Sequence, residues 1–210
     1  MTSRIPAAGV MLDADLIVPV DPIGSVLFAH GSGSSRHSPR NRAVAADLNE
    51  IRLATVLVDL LTADEERTRD LRFDIGLLGD RLIAIVDWLG DQAGTARLPL
   101  GLFGASTGAA AALVAAAARP DAVRAVVSRG GRPDLAGPAL VQVRAPTLLI
   151  VGENDTQIRE LNEQARNTMT TRAELRIIPA ATHLFEEPGA LQQVAAEAGR
   201  WFTDHLRAAR

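Results

Sequence analysis

One turn constrains this chain more than any other feature. The pentapeptide Gly104-Ala105-Ser106-Thr107-Gly108 ends the apolar run Leu98–Ala105 and opens the segment Gly108-Ala-Ala-Ala-Ala-Leu-Val-Ala-Ala-Ala-Ala. The first run has the length and apolarity of a buried strand, and the second is a run of helix formers, Thr107–Arg119, stopped by Pro120. A serine between them, with glycines two residues to either side, fits the pattern G-x-S-x-G. The pattern has a steric basis. A serine on so sharp a strand-to-helix turn sits in strained backbone geometry. Residues two before and two after it come so close that only small side chains fit.

The rest of the chain alternates in the same way. Apolar runs predict strands over Ser25–His30, Thr55–Leu60, Val123–Ser128, Thr147–Val151 and Glu174–Ile178. Val10–Val20, interrupted by Asp13 and Asp15, reads as an edge strand or hairpin. Helices are predicted over Arg40–Arg52, Phe73–Leu89, Gln157–Met169 and Gly189–Leu206. In the second of these, Ile75, Leu78, Leu82, Ile85, Trp88 and Leu89 recur at three- and four-residue spacing. Between the elements lie the glycine-serine loop Gly31–Ser35, the charged loop Thr62–Asp70 and the Gly/Pro-rich stretch Gly130–Pro138. Roughly six central strands alternating with five or six helices imply an α/β fold: a doubly wound, mostly parallel sheet with helices on both faces, in a single domain over residues 1–210. In such sheets ligands sit beyond the carboxyl ends of the strands, so chemistry is expected in the loops that follow them.

Composition narrows the classes. With 47% hydrophobic and 22% charged residues, the 210-residue chain has the make-up of an ordinary globular protein. A net charge of −3 and the lack of a dense Lys/Arg run speak against nucleic-acid or membrane-surface partners. There is no cysteine, which excludes disulfides, thiolate chemistry and Cys-type metal sites. The start Met1-Thr-Ser-Arg-Ile-Pro is no secretory leader, and the longest apolar run, Ala109–Ala118, is far short of the roughly 20 residues of a membrane span. A cytoplasmic protein, monomer or homodimer, is expected, acting on a small-molecule substrate.

A serine hydroxyl is a poor nucleophile at neutral pH and needs a base within hydrogen-bond reach. That base in turn needs a carboxylate to hold its tautomer. Of the four histidines, His183 and His205 follow Ser106 in the chain. His205 lies in the last helix among polar residues and reads as a solvated surface residue. His183, in Pro179-Ala-Ala-Thr-His-Leu-Phe, follows a strand and is the candidate base. Asp155, in Val151-Gly-Glu-Asn-Asp, is the candidate acid, with Glu153 and then Asp134 as competitors.

The tetrahedral intermediate of acyl transfer needs N–H donors aimed at its oxyanion, each worth roughly 3–4 kcal/mol. The backbone N–H of Thr107 is one candidate. The other comes from His30-Gly31-Ser32-Gly33-Ser34, with Ser32 favoured and Gly33 second, while His30 braces the loop. This loop has neither the G-x-x-x-x-G-K-[ST] spacing nor any lysine, so it is not a nucleotide phosphate loop.

Taken together, His30-Gly-Ser-Gly33, Gly104-Ala-Ser-Thr-Gly108, Gly152-Glu-Asn-Asp155 and His183 resemble the α/β-hydrolase superfamily. Its small members, the dienelactone hydrolase-like proteins and compact carboxylesterases, are the nearest in kind. The resemblance runs from about Ser25 to the C-terminus. It implies two-step acyl transfer on Ser106, with His183 moving the proton, Asp155 supporting it, and no metal or organic cofactor. Dienelactone hydrolases proper use a cysteine nucleophile. Ser106 stands in that place here, which shifts the expectation toward general ester chemistry. Only 18 residues separate Ser128 from Thr147, too few for the helical cap of larger relatives.

The leading expectation is thus an esterase for small carboxylic esters, lactones or thioesters. Acyl transfer, amide cleavage or perhydrolysis on the same site is the alternative chemistry, and a non-catalytic ligand-binding module is the alternative class. Arg72 and Arg129, with Arg69 and Arg132, are candidates for an anionic substrate group, against the simpler reading of solvated surface arginines.

Overall fold

In the computed structural model, which describes residues 2–207, eight strands form one sheet. They are β1 (Thr2–Ala7), β2 (Val10–Ile17), β3 (Gly24–Ala29), β4 (Leu53–Val58), β5 (Leu100–Ala105), β6 (Val123–Arg129), β7 (Thr147–Gly152) and β8 (Ala173–Ile178), in the spatial order 1-2-4-3-5-6-7-8. From β4 across to β8 every pairing is parallel, whereas β1 with β2 and β2 with β4 are antiparallel. Strands β3, β4, β5 and β7 are buried at every residue, as expected of parallel strands covered on both faces.

Five helices provide the cover: α1 (Pro39–Glu50), α2 (Ile75–Asp91), α3 (Thr107–Ala118), α4 (Thr156–Thr168) and α5 (Ala190–Leu206). Alternation along each strand divides the core in two. Val26, Phe28 and Phe103 point to the face covered by α1 and α5, where Leu48, Trp201 and Phe202 meet them. Leu27, Ala29 and Leu102 point to the face covered by α2, α3 and α4. Helix α3 is buried almost all round, against the sheet, α2 and the 3₁₀ segment Pro133–Gln142. Alanine suits it because no other residue combines helix propensity with so close an approach.

The sheet is wider than the sequence pattern predicts. β1, TSRIPA, was not anticipated, because only Ile5 and Ala7 are buried and Pro6 suggests an edge. It pairs with β2 through a two-residue turn, Ala8 and Gly9, both at positive φ, the geometry that matches the twist of a hairpin. The charged loop Thr62–Asp70 contains a 3₁₀ turn, Glu65–Arg67, and a second, Asp70–Phe73, follows. Helix α2 begins at Ile75 rather than Phe73, because the Asp74 carboxylate caps the N–H of Leu77 at 3.0 Å. The Gly130–Pro138 stretch is partly wound into the ten-residue segment Pro133–Gln142, kinked at Gly137. That segment is all that lies between β6 and β7 apart from short connections, so no cap domain is inserted there.

Candidate active site

Ser106 sits where β5 becomes α3, with φ 50° and ψ −120°. That is a strained position for a residue with a side chain, and it turns the serine out of both elements. The surroundings hold it there. Its N–H donates to the Arg129 carbonyl at 3.2 Å and its carbonyl accepts from the Arg132 N–H at 3.1 Å, so the end of β6 grips the turn. The two flanking glycines are obligatory. A Cβ on Gly104 would stand 2.3 Å from the Ala109 Cα, and one on Gly108 would stand 2.3 Å from the Ala29 carbonyl oxygen. Both clashes are with backbone, which cannot move aside.

The structure brings His183 and Asp155 together. Asp155 lies just past β7 at the start of α4, and His183 lies in the loop between β8 and α5. The Nδ1–H of His183 donates to Oδ2 of Asp155 at 2.6 Å. This leaves Nε2 as the basic nitrogen, and the ring is about one-third exposed while the carboxylate is more sheltered. The competing acids are engaged elsewhere. Glu153 accepts the Ala180 N–H at 2.8 Å, and Asp134 pairs with Arg132. His183 rests on the end of β6, where a Cβ on Gly130 would meet the His183 carbonyl at 3.2 Å and its Cε1 at 3.4 Å. Gly130 follows Arg129, whose carbonyl holds Ser106, so His183 and the serine share one shelf.

The loops that carry Asp155 and His183 are fastened to each other and the His183 loop is braced within itself, by residues that sequence reasoning missed. The Asn154 N–H donates to the Ala181 carbonyl and its side-chain amide to the Ala180 carbonyl, both at 2.9 Å. Glu187 accepts from the Thr182 N–H at 3.0 Å and from its hydroxyl at 2.6 Å. The Thr182 hydroxyl and the nearby backbone N–H groups hold the Glu187 carboxyl below the usual carboxylate range. Within this loop Ala180 and Phe185 adopt positive φ. No periodicity or motif marks such residues; only the surplus of polar side chains next to Asp155 and His183 hints at them.

His30 braces the loop after β3. Its Nε2 accepts the Leu60 N–H at 3.1 Å, so its Nδ1–H is the one that meets the Gly31 carbonyl at 2.9 Å. Gly33 lies exposed at the loop tip with φ 69°. The Ser32 N–H has a partner in this structure, the Oγ1 of Thr107, at 2.8 Å. His205 departs from the reading of a free surface residue. It is half-buried, tilted 40° against the Trp201 ring with ring centroids 4.3 Å apart, and bonded through Nδ1 to the Trp201 carbonyl.

The arginines separate into two kinds. Arg72 is tied to Glu66 through both the carbonyl and the carboxylate, and it borders a small crevice with His30, Gly31 and Ser32. Arg132 is paired with Asp134, whose carboxylate holds its guanidinium charged well above ordinary pH. Arg129 is no surface residue. It is 5% exposed, donates to Asn41 Oδ1 at 3.1 Å, and has its Nε without a partner. Burial, then the neighbouring charge of Arg40, push its guanidinium down to about 10. Among the described residues no three His, Cys, Asp or Glu side chains gather into a metal-binding group, and no helix is long and apolar enough to cross a membrane.

Comparison with known proteins places this geometry. Residues 63–207 match the dienelactone hydrolase family. The crystal structure of a dienelactone hydrolase from Anabaena variabilis is 56% identical, covers 99% of this chain and 98% of its own, and superposes with a TM-score of 0.97. Est1E from Butyrivibrio proteoclasticus is 17% identical and shares the fold, with a TM-score of 0.84 over 99% of both chains. A Mycobacterium tuberculosis protein that carries the name of a phosphoribosyl transferase is 58% identical over 203 residues, which is 97% of this chain and 46% of that protein. This chain therefore spans about half the length of that relative. With the elbow at Ser106, the parallel sheet and a family match across more than half its length, the chain belongs to the dienelactone hydrolase family and has the α/β-hydrolase fold.

Proposed function

We propose that the protein is a serine hydrolase that cleaves small carboxylic esters, lactones or thioesters through an acyl-enzyme on Ser106. The observation that carries this reading is the 2.6 Å bond between His183 and Asp155, on loops that converge on the shelf gripping a strained serine. The Ser106 Oγ attacks the ester carbonyl as His183 Nε2 takes its proton, and Asp155 stabilises the imidazolium that forms. The carbonyl electron pair becomes an oxyanion, met by the Thr107 N–H at the start of α3, beside the loop His30–Ser34. When the intermediate collapses, His183 returns the proton to the leaving alcohol. Water then repeats the sequence to release the acid.

A capless site favours small or exposed esters. The test is turnover of p-nitrophenyl acetate and butyrate, with fluorophosphonate labelling, by the wild-type protein and Ser106→Ala. Turnover and labelling that both vanish in Ser106→Ala are expected. A wild-type protein that neither turns over nor labels overturns the reading.

A further inference from the structure

We infer that the side-chain hydroxyl of Thr107 is a catalytic residue, a direct hydrogen-bond donor to the oxyanion. It stands in for the Ser32 N–H, which acts through it. The inference rests on the serine hydrolase reading above. Four observations lead to it. The Ser32 N–H is aimed at Thr107 Oγ1, 2.8 Å away, and so it is already engaged by an oxygen. Thr107 is 4% exposed, and among the described residues its hydroxyl hydrogen has no acceptor. Buried hydroxyls ordinarily place that hydrogen in a bond. Thr107 directly follows the nucleophile, and Gly31, next to Ser32, packs on it so tightly that a Cβ there would lie 3.0 Å from the Ser106 Cβ and 3.7 Å from its Oγ. The hydroxyl therefore bonds the same loop that packs against the nucleophile. Finally, a threonine hydroxyl has two acceptor lone pairs and one hydrogen. Accepting from Ser32 leaves that hydrogen free to turn toward the nascent oxyanion.

The chemistry follows without any added group. As the Ser106 Oγ forms its bond to the carbonyl carbon, the proton moves to His183 and the carbonyl electron pair moves onto oxygen. The Thr107 Oγ–H then hydrogen-bonds that oxygen beside the Thr107 backbone N–H, and no proton is transferred to it. Because Oγ1 is itself accepting from Ser32, the hydroxyl is polarised into a better donor. One residue thus supplies two donors, and the loop after β3 tunes the second.

The test compares Thr107→Val, which keeps the shape and removes the hydroxyl, with Thr107→Ser, which keeps the hydroxyl. On p-nitrophenyl acetate the valine variant is expected to lose about 10²–10³-fold in kcat at an unchanged KM, while the serine variant keeps most of the wild-type kcat. An aryl trifluoromethyl ketone, which forms a hemiketal oxyanion on Ser106, gives a second readout by fluorine NMR. Its oxyanion pKa rises in Thr107→Val and returns toward wild type in Thr107→Ser, a shift that a purely structural threonine does not produce. Should the valine variant fold poorly, Thr107→Ala carries the same prediction. Wild-type kcat and oxyanion pKa in Thr107→Val or Thr107→Ala overturn the inference, as does a serine variant as impaired as the valine one. If instead the wild-type protein neither turns over nor labels at Ser106, it is the serine hydrolase reading that fails.

Discussion

The guanidinium of Arg129 lies over the ring of Phe185, its Cζ 5.7 Å from the ring centroid, two residues beyond the candidate base. The cation–π contact and the Asn41 amide are the compensation that this buried charge receives among the described residues, and neither is an anion. Its folded pKa of about 10 lies below the ordinary guanidinium value, so the folded state disfavours the charged form. Through this group stability carries its full penalty below pH 10 and recovers only as pH rises above it. Asn41→Asp should therefore stabilise the protein, by about 1–3 kcal/mol from a charge-assisted bond, with a rise in Tm of roughly 2–4 °C per kcal/mol. The new carboxylate is held low by the guanidinium, so the gain is complete above the ordinary carboxylate range and is lost as pH falls through the folded pKa. Thermal melts at pH 7 and pH 3.5 check both the size and the direction, and a lower Tm at pH 7 refutes the account.

Asp155→Asn should leave the fold and Tm nearly unchanged and lower kcat by about 10⁴-fold. The amide keeps the shape of the side chain but donates to Nδ1, so the imidazole takes the tautomer whose Nε2 already carries a proton. Glu153→Gln, two residues earlier, keeps an oxygen to accept the Ala180 N–H and should cost little activity. Steady-state kinetics of the two variants distinguish Asp155 from its nearest competitor. Equal losses would mean that the His183 partner has been misassigned.

What could be read in the sequence, and what could not, follows from where the information lies. The glycines at 104 and 108 are fixed by backbone clashes only two residues from Ser106, so a local pattern records them. Buried strands such as TVLV and LLIV announce themselves because both faces must be apolar. β1 does not, since an edge strand buries one face and TSRIPA has little to bury. The burial of Arg129 was invisible because it depends on Asn41, 88 residues away, and on Phe185. The same holds for Ser32, whose N–H finds Thr107 across 75 residues of chain.

Glu187 offers a separate test of how the base is held. Its carboxylate accepts two bonds from Thr182, directly before His183, and those bonds favour the ionised form. A carboxyl held below its ordinary pKa contributes above the unfolded value and loses that contribution as pH falls through the folded one. Glu187→Gln should therefore lower Tm slightly near neutral pH, and the deficit should shrink at acid pH, where the wild-type carboxyl is itself protonated. Thermal melts of both proteins at pH 7 and pH 3 decide this, and a deficit that is constant with pH contradicts it.

Arg81 makes the opposite prediction, a loss of stability without a loss of chemistry. It is 3% exposed on α2, yet its guanidinium donates to the Ala7 and Ala8 carbonyls at 2.6 and 3.3 Å and to Glu65 Oε1 at 2.8 Å. One side chain thus fastens the β1–β2 hairpin and the Glu65–Arg67 turn to the same helix. Arg81→Met fills much of the space but leaves two carbonyls and a carboxylate short of a partner. Breaking a buried pair by removing one member costs about 3–5 kcal/mol, and Glu65, being partly exposed, places this case toward the lower end. Hydrogen exchange should speed up first in β1 and β2, the antiparallel edge of the sheet. The Ser106 turn is gripped by β6 and α3 on the other side of β3, so kcat in the folded variant should remain near wild type. Exchange that accelerates uniformly, or a kcat that falls along with the hairpin, would show that the edge and the active site are one cooperative unit.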